Sequence, residues 1–323
     1  TGVLDFELTY SSDGDDVGVD VAEISPGRYA VLADVWDLTG DFAATSISPY
    51  LNGEGDWYTY RVLLDIAWDG TNATMDAWNG TDIETGVVAG SYNYIRTARV
   101  AYDPIDEVLY VINVLDQWSF PLTEAYGSHD LYLAQFSVDA DSFDFEWYRT
   151  FGSTDWDRVG RMDGYAAPLA VVPGVGVVTG YASKLGDGTI TTEADKVLTS
   201  STPWYDDGDG GTYESAIVIM VNNDGTTDWI KTMAGNDALF FLDVEVDAAG
   251  NIYVGGVHHS NVEPDVGTPY GDFGDWVDNA STDYTGSRDF FVAKLGSDGE
   301  TIWLEVAGTK GNDELKDIAV DAD

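Results

Sequence analysis

Short runs of β-branched and aromatic residues recur along the whole chain, and each run is bounded by Gly, Asp, Asn or Pro. Apolar residues spaced three and four positions apart, which would indicate helices, are almost absent. Short apolar runs between turn residues are typical of β-strands. The pattern therefore predicts an all-β protein.

The runs follow one another in an order that repeats along the chain. The last copy begins with Asp289–Leu295, continues through an Asp-Gly turn to a run that holds Trp303, and reaches Ile318–Asp321. The copy before it has the same order and continues into Gly250–Gly256. Tandem copies of one layout are the signature of a repeat architecture. The aligned aromatic positions of the five copies are Phe6, Trp78, Trp147, Trp229 and Trp303.

Each copy is expected to form a sheet of four short strands, whose edges and apolar face must be covered by neighbouring copies. Radial packing of four-stranded sheets gives a β-propeller, whereas a linear β-solenoid needs shorter and stricter periods. We therefore expect one β-propeller domain, or a fragment of one, with about five repeat units and an incomplete last unit. The units span roughly residues 1–58, 59–128, 129–214, 215–287 and 288–323.

The last unit stops where the other units continue into another strand. Asp321-Ala322-Asp323 stands where the preceding unit runs on into its Gly-Asn-Ile-Tyr-Val strand. We expect either that further units follow in a longer parent polypeptide, which is the interpretation we favour, or that the open edges pair with another subunit.

The units resemble the SBBP-type β-propeller repeat of bacteria and archaea. In that family an Asp-Ala-Phe-Val-Ala-Lys-Leu-like strand precedes an Asp-Gly turn, a Trp strand and a Gly-Asn-hydrophobic-Tyr-Val-x-Gly strand. Asp289–Leu295 and Ala248–Gly256 match this pattern closely, and Phe120-Pro121 matches the pair that precedes each new copy. The match is good over 120–323 and weak over 1–119. The resemblance implies an exported or surface-anchored β-propeller without catalytic residues of its own.

The charge balance narrows the possible partners. The chain has 58 Asp and Glu against 14 Lys and Arg, a net charge of −44. This excludes a protein that binds a nucleic-acid backbone, which needs a basic face. Because 44% of the residues are hydrophobic and 13% aromatic, the chain carries enough apolar surface for a folded core beneath the acidic coat.

Two solvents tolerate such a surface. Multi-molar salt screens the repulsion between carboxylates, as in halophilic proteins, and calcium-rich water neutralises clustered Asp oxygens. The alternative is that the acids merely keep an exported protein soluble. All three interpretations favour an extracellular or surface-displayed protein. The chain has no cysteine, which excludes disulfides and thiolate chemistry, and no apolar run approaches the roughly 18 residues of a membrane-spanning helix.

Long connections recur between the Tyr-Val strand of one unit and the first strand of the next. They cover about 34–60, 113–129, 182–214 and 257–288, and radial packing would gather them on one side. Aromatic rings beside carboxylates suit sugar rings or a protein partner, although the rings would equally pack the loops onto the sheets. The candidate ligand-binding residues are Trp36, Trp57, Tyr58, Trp118, Trp204, Tyr205, Tyr270 and Trp276.

The densest acidic cluster lies in the third long connection, and it is our candidate calcium site. Its Asp-x-Asp-Gly layout lets carboxylates turn toward one ion, although the remaining spacing of an EF-hand loop is missing and a solvated loop is the alternative. Other acids, such as Asp313, lie in the acidic turn of each repeat, where Asp caps its own backbone. The candidate metal ligands are Asp206, Asp207, Asp209 and Glu214.

Signals of an enzyme are few. The three histidines include the adjacent pair His258-His259, whose side chains would point to opposite faces of a strand. No phosphate-binding glycine loop or nucleophile elbow is present. The sequence thus favours a non-enzymatic adhesion or recognition protein on a cell surface, an appendage or a virion. The alternatives are a subunit of an extracellular filament or coat, and a carbohydrate-active enzyme.

Overall fold

The computed structural model confirms the all-β prediction. The part of the chain that it describes contains 21 strands and no helix. The described residues are 17–35, 59–68, 73–77, 89–91, 98–116, 129–152, 157–158, 168–183, 189–192, 197–199, 215–234, 239–261, 270–271, 285–309 and 311–321.

The strands are short and follow one another in the order expected from the apolar runs. In chain order they are β1 (Val17–Ser25), β2 (Arg28–Val35), β3 (Thr59–Trp68), β4 (Ala73–Ala77), β5 (Ala89–Ser91), β6 (Arg99–Asp103), β7 (Val108–Asp116), β8 (His129–Val138), β9 (Phe143–Gly152), β10 (Asp157–Arg158), β11 (Leu169–Val172), β12 (Gly176–Ser183), β13 (Thr189–Thr192), β14 (Val197–Thr199), β15 (Ser215–Asn222), β16 (Thr227–Ala234), β17 (Leu239–Val246), β18 (Ile252–Asn261), β19 (Tyr270–Gly271), β20 (Thr285–Leu295) and β21 (Thr301–Ala307).

The described strands form four antiparallel sheets, each built on a four-stranded meander. Sheet I is β1-β2-β3-β4, sheet II is β6-β7-β8-β9, sheet III is β11-β12-β15-β16, and sheet IV is β17-β18-β20-β21. The remaining strands extend these sheets: β5 pairs with β3, β10 with β12, β13 with β9 and β14, and β19 with β16. The four sheets share one layout, as the repeated order of strands predicts.

The sheets are offset by half a unit from the sequence repeats. Each sheet begins with the strand that we placed third in a unit and ends with the Trp-type strand of the next unit. Sheet IV, for example, takes β17 and β18 from the unit 215–287, β21 from the unit 288–323, and β20 mostly from the latter. The expectation that each copy forms its own sheet is therefore wrong, because a repeat reveals its period but not which strands pair with one another.

The core lies between successive sheets. Along β15, Ile217, Ile219 and Val221 pack against residues of sheet II, whereas Val218 and Met220 pack against residues of sheet IV. Another cluster joins sheets I and II. Because the inner sheets are buried on both faces, their central strands are continuous apolar runs rather than alternating ones.

The first strands of the sheets lie side by side in chain order. β6 contacts β1, β11 contacts β6, and β17 contacts β11. The sheets are therefore stacked as I, II, III and IV, with their first strands forming one shared edge of the stack.

The third strand predicted for the fifth unit, at Ile318–Asp321, is not formed. Residues 311–321 belong to no β-ladder. The segment nevertheless packs on sheet IV: the Ile318 N–H donates to Asp243 Oδ2 at 2.6 Å, and Leu315 packs on a cluster that includes Leu242 and Val257. A strand needs a partner for its backbone groups, and the described residues supply none here.

Candidate functional site

One end of every sheet carries a long connection, as predicted. In each meander the long connection joins the second strand to the third, between residues 35 and 59, 116 and 129, 183 and 215, and 261 and 285. The other connections within the meanders are tight turns. We call the end at which the second strand stops and the third begins the connection end.

The extra strands pair with the meanders at the connection end. Within the third long connection, Thr191 and Thr192 of β13 pair with Gly152 and Phe151 of β9. Within the fourth, β19 pairs with Met233 and Ala234 of β16. Both connections thus reach back to the last strand of the preceding sheet, at positions equally far from Trp147 and Trp229. The third and fourth connections are therefore paired with the preceding sheet at equivalent positions of the repeat.

Of the predicted ligand-binding residues, only Tyr270 lies on a described strand. It belongs to β19 and pairs with Ala234, which places its backbone at the connection end. The other predicted contacts Trp36, Trp57, Tyr58, Trp118, Trp204, Tyr205 and Trp276, and the predicted calcium ligands Asp206, Asp207, Asp209 and Glu214, lie outside the described residues.

Tryptophan side chains form hydrogen bonds between neighbouring sheets. The indole N–H of Trp147 in sheet II donates to the carbonyl oxygen of Asn223 in sheet III at 2.9 Å. The indole N–H of Trp229 in sheet III donates to the carbonyl oxygen of Ser297 in sheet IV at 3.1 Å. Asn223 and Ser297 occupy equivalent positions in the turn between the last two strands of their sheets. The repeated tryptophan is therefore a junction residue, a role that the sequence alone did not indicate.

A glycine in the same turn lets the indole ring approach closely. A Cβ atom at Gly225 would lie 3.0 Å from Cδ2 of Trp147, and one at Gly299 would lie 2.8 Å from Cδ2 of Trp229. Both glycines have a positive φ, of 79° and 78°. In sheets III and IV the Asp-Gly turn thus receives the ring of the preceding sheet.

Sheets I and II are joined at the corresponding turn by an arginine. Arg28 is paired with Asp65 of its own sheet at 2.6 Å and donates to the carbonyl oxygens of Asp139 and Ser142 in the turn between β8 and β9. Its guanidinium also lies 5.4 Å from the centre of the Phe143 ring. The hydrogen bonds to Asp65 raise the pKa of Arg28, so the fastener stays charged.

Aspartates in the first strands hold the backbone of the following unit. Asp20 and Asp243 each come directly after a residue that is skipped in the pairing with the second strand. Asp20 Oδ2 accepts from the N–H of Val100 at 2.9 Å, and Asp243 accepts in the same way from Ile318. The common bond places residues 317–321 where the first strand of a further sheet would lie.

The first strands bring charges from distant units together. Burial raises the pKa of Asp243 to about 6; Asp317 also raises it, while the Ile318 N–H and the charge of Arg99 oppose the shift. Burial likewise raises the pKa of Glu245, which also interacts with Asp317 and Arg99. The charges of Arg99 in sheet II and Asp317 in the fifth unit thus both act on the acids of β17.

The raised pKa of Asp243 predicts a pH-dependent stability. The folded state favours the protonated acid, so this contribution is present below the ordinary pKa of 3.8 and is lost as the pH rises through about 6. Asp243→Asn mimics the protonated acid. We expect its unfolding free energy, relative to wild type, to be about 1 kcal/mol higher at pH 8 than at pH 5, after allowing for solvent screening.

Urea unfolding of both proteins at the two pH values measures this difference. Asp247→Asn is the matched control, because bonds from Asn251 and Lys294 hold the pKa of Asp247 far below its usual range. Its effect should therefore be equal at pH 5 and pH 8. An Asp243→Asn effect that is also equal at both values would contradict the assignment.

Turn chemistry accounts for several acids, as the sequence suggests. Asp247 accepts from the N–H groups of Ala249 and Asn251, and Asp313 accepts from the N–H and hydroxyl of Thr309. Among the described residues, no three or more His, Asp or Glu side chains are arranged to hold a metal ion.

One buried acid was not anticipated. Asp289, at the connection end of β20, is 1% exposed, and a Cβ atom at Gly308 would lie 1.7 Å from its Oδ1. The backbone of Gly308 therefore lies against the carboxylate, and a larger residue at position 308 would clash with it.

No model of a known protein family and no curated protein matches the chain. None of the described residues forms a helix that is long and apolar enough to cross a membrane. The described part is thus defined as four stacked antiparallel sheets with tryptophan and arginine junctions.

Proposed function

We propose that the chain is part of a non-enzymatic, SBBP-like β-propeller outside the cell, on a cell surface, an appendage or a virion, and that it recognises glycans or proteins through its connection end. The observation that carries the proposal is the long connection at the same place in all four sheets. Loops that a rigid scaffold brings together are where proteins usually bind their partners.

The stacking of the sheets supports the propeller. The first strands contact one another in chain order, and equivalent turns receive a side chain of the preceding sheet at three successive junctions. Radial blades require this arrangement, because each blade covers the face of the next. The connection ends of neighbouring sheets then lie on one side.

The composition of the connections supports the type of ligand. They contain the tryptophans and tyrosines predicted as contacts, beside many carboxylates. Flat rings stack on the apolar faces of sugars, and carboxylates accept from sugar hydroxyls. Calcium bound by Asp206, Asp207, Asp209 and Glu214 would order the third connection and belongs to the proposal.

Tryptophan variants in a glycan-array and cell-attachment assay test the proposal. Trp204→Ala or Trp276→Ala should weaken attachment about tenfold without lowering the melting temperature. Trp303→Ala is the matched control, since it removes an exposed tryptophan from β21 and not from a connection. Unchanged attachment by both connection variants would refute the proposal. Chelation of calcium in the same assay should reduce attachment if the acidic cluster orders the third connection.

A further inference from the structure

Trp303 lacks the cover that its two counterparts have. It stands in sheet IV where Trp147 stands in sheet II and Trp229 in sheet III, and both of those rings pack on an Asp-Gly turn of the next sheet. By contrast, Trp303 is 38% exposed and its neighbour Ile302 is 56% exposed. Its ring contacts Tyr253 of its own sheet, at 6.1 Å between centroids. Among the described residues, no turn of another sheet packs on the ring of Trp303.

Beside it, residues 311–321 lie in the place of a first strand. The Ile318 N–H bonds to Asp243 as the Val100 N–H of β6 bonds to Asp20. A Cβ atom at Gly255 would meet Leu315 and Ile318 at 2.4 and 2.6 Å, so the segment packs tightly on β18. In its last five residues Ile318 and Val320 are half-buried, whereas Asp317, Ala319 and Asp321 are exposed. This alternation is typical of a β-strand, although the segment has no partner strand among the described residues.

The equivalent acid in sheet IV shows what such a partner supplies. Asp321 corresponds to Asp247, which begins the turn after β17. The carboxylate of Asp247 accepts from the Asn251 amide at 2.7 Å, the Tyr253 hydroxyl at 3.2 Å and Lys294 at 3.4 Å. These three groups come from the approach to the second strand, the second strand and the third strand of the sheet. A partner with the same three donors would bond to the carboxylate of Asp321 in the same way.

We propose that Trp303, Ile302 and residues 311–321 form a docking face for the second, third and fourth strands of a further repeat unit. The second strand, of the Gly-Asn-Ile-Tyr-Val type, pairs antiparallel with residues 317–321 and brings Asn and Tyr to Asp321. The third strand brings a Lys, and the turn after it, with Gly behind Asp, covers the ring of Trp303. Strand addition to an unpaired edge is an established mode of recognition.

The described strands do not supply this segment, either within the chain or from a second copy of it. Every described strand of the second type, in β2, β7, β12 and β18, is already paired on both sides within its own sheet. A second copy could supply one only by opening a sheet. A second copy that continued the stack would place its first strand, β1, against β17. Residues 311–321 already lie there and would have to be displaced.

A peptide with the sequence of residues 249–258, which includes most of β18, is the direct probe. Added to the intact chain, it should slow amide hydrogen exchange at residues 317–320 by about tenfold at saturation. A peptide with Pro in place of Ile252 and Val254 cannot complete the ladder and is the matched control. In the protein, Asp321→Ala should weaken binding of the peptide about tenfold, whereas Asp298→Ala, an exposed acid of the turn before β21, should not.

The proposal is overturned if millimolar peptide leaves the exchange of residues 317–320 unchanged, or if both peptides protect them equally. Sedimentation provides the second test. We expect a monomer at micromolar concentration, and self-association that Trp303→Ala abolishes would assign the face to a second copy instead. Neither measurement depends on glycan or cell attachment, so this proposal and the proposed function fail separately.

Discussion

Gly299→Ala is expected to lower the free energy of unfolding by about 3 kcal/mol. Gly299 has a φ of 78°, and its Cβ atom would lie 2.8 Å from Trp229 Cδ2 and 3.0 Å from Cε2. The new methyl group would thus push the ring away from the turn and weaken the bond between the indole N–H and Ser297. Both the backbone strain and the displaced ring destabilise the junction of sheets III and IV.

Gly250→Ala separates these two effects. Gly250 has nearly the same φ, 80°, but a Cβ atom there would have no neighbour within 4 Å. This variant should therefore show the backbone strain alone, about 1 kcal/mol. Urea unfolding of both variants at one high salt concentration, followed by circular dichroism, gives the difference. If the two losses of unfolding free energy are equal, the packing of the Trp229 ring does not depend on Gly299, and the role given to this glycine is wrong.

Much of the fold could be predicted because it depends on local patterns. The apolar run Ile217–Val221 is one of the runs that predict strands, and it lies within β15. Asp-Gly pairs predict the turns before Thr227 and Thr301. The long connections were predicted at the ends of the units, and the structure has them there. Each of these features is encoded within a few neighbouring residues.

What the sequence did not predict depends on contacts between distant units. Nothing near Trp229 in the chain indicates that Gly299 receives its ring, and nothing near Arg99 indicates its proximity to Asp243. The pairing of β17 and β18 with the strands of the next unit is likewise a long-range choice. For the candidate site, Tyr270 is placed at the connection end, while the other predicted contacts lie outside the described residues.

One buried acid forms hydrogen bonds across the junction of sheets II and III. Asp103 is fully buried and accepts from the N–H of Ile105 in its own turn and from the N–H of Gly174 in the turn between β11 and β12, each at 2.8 Å. The carboxylate therefore joins the turns of two sheets. Asp103→Ala removes both charge-assisted bonds and should lower the unfolding free energy by about 3 kcal/mol.

Asp224→Ala is the control for a local turn. Asp224 is exposed, and its carboxylate accepts from the N–H and hydroxyl of Thr226 within the same turn, at 2.9 and 2.6 Å. Its loss should cost at most about 1 kcal/mol. Asp103→Asn keeps one acceptor oxygen and should fall between the two. If Asp103→Ala costs no more than Asp224→Ala in urea unfolding at pH 7, the bond from Asp103 across the sheets adds nothing to the stability of the stack.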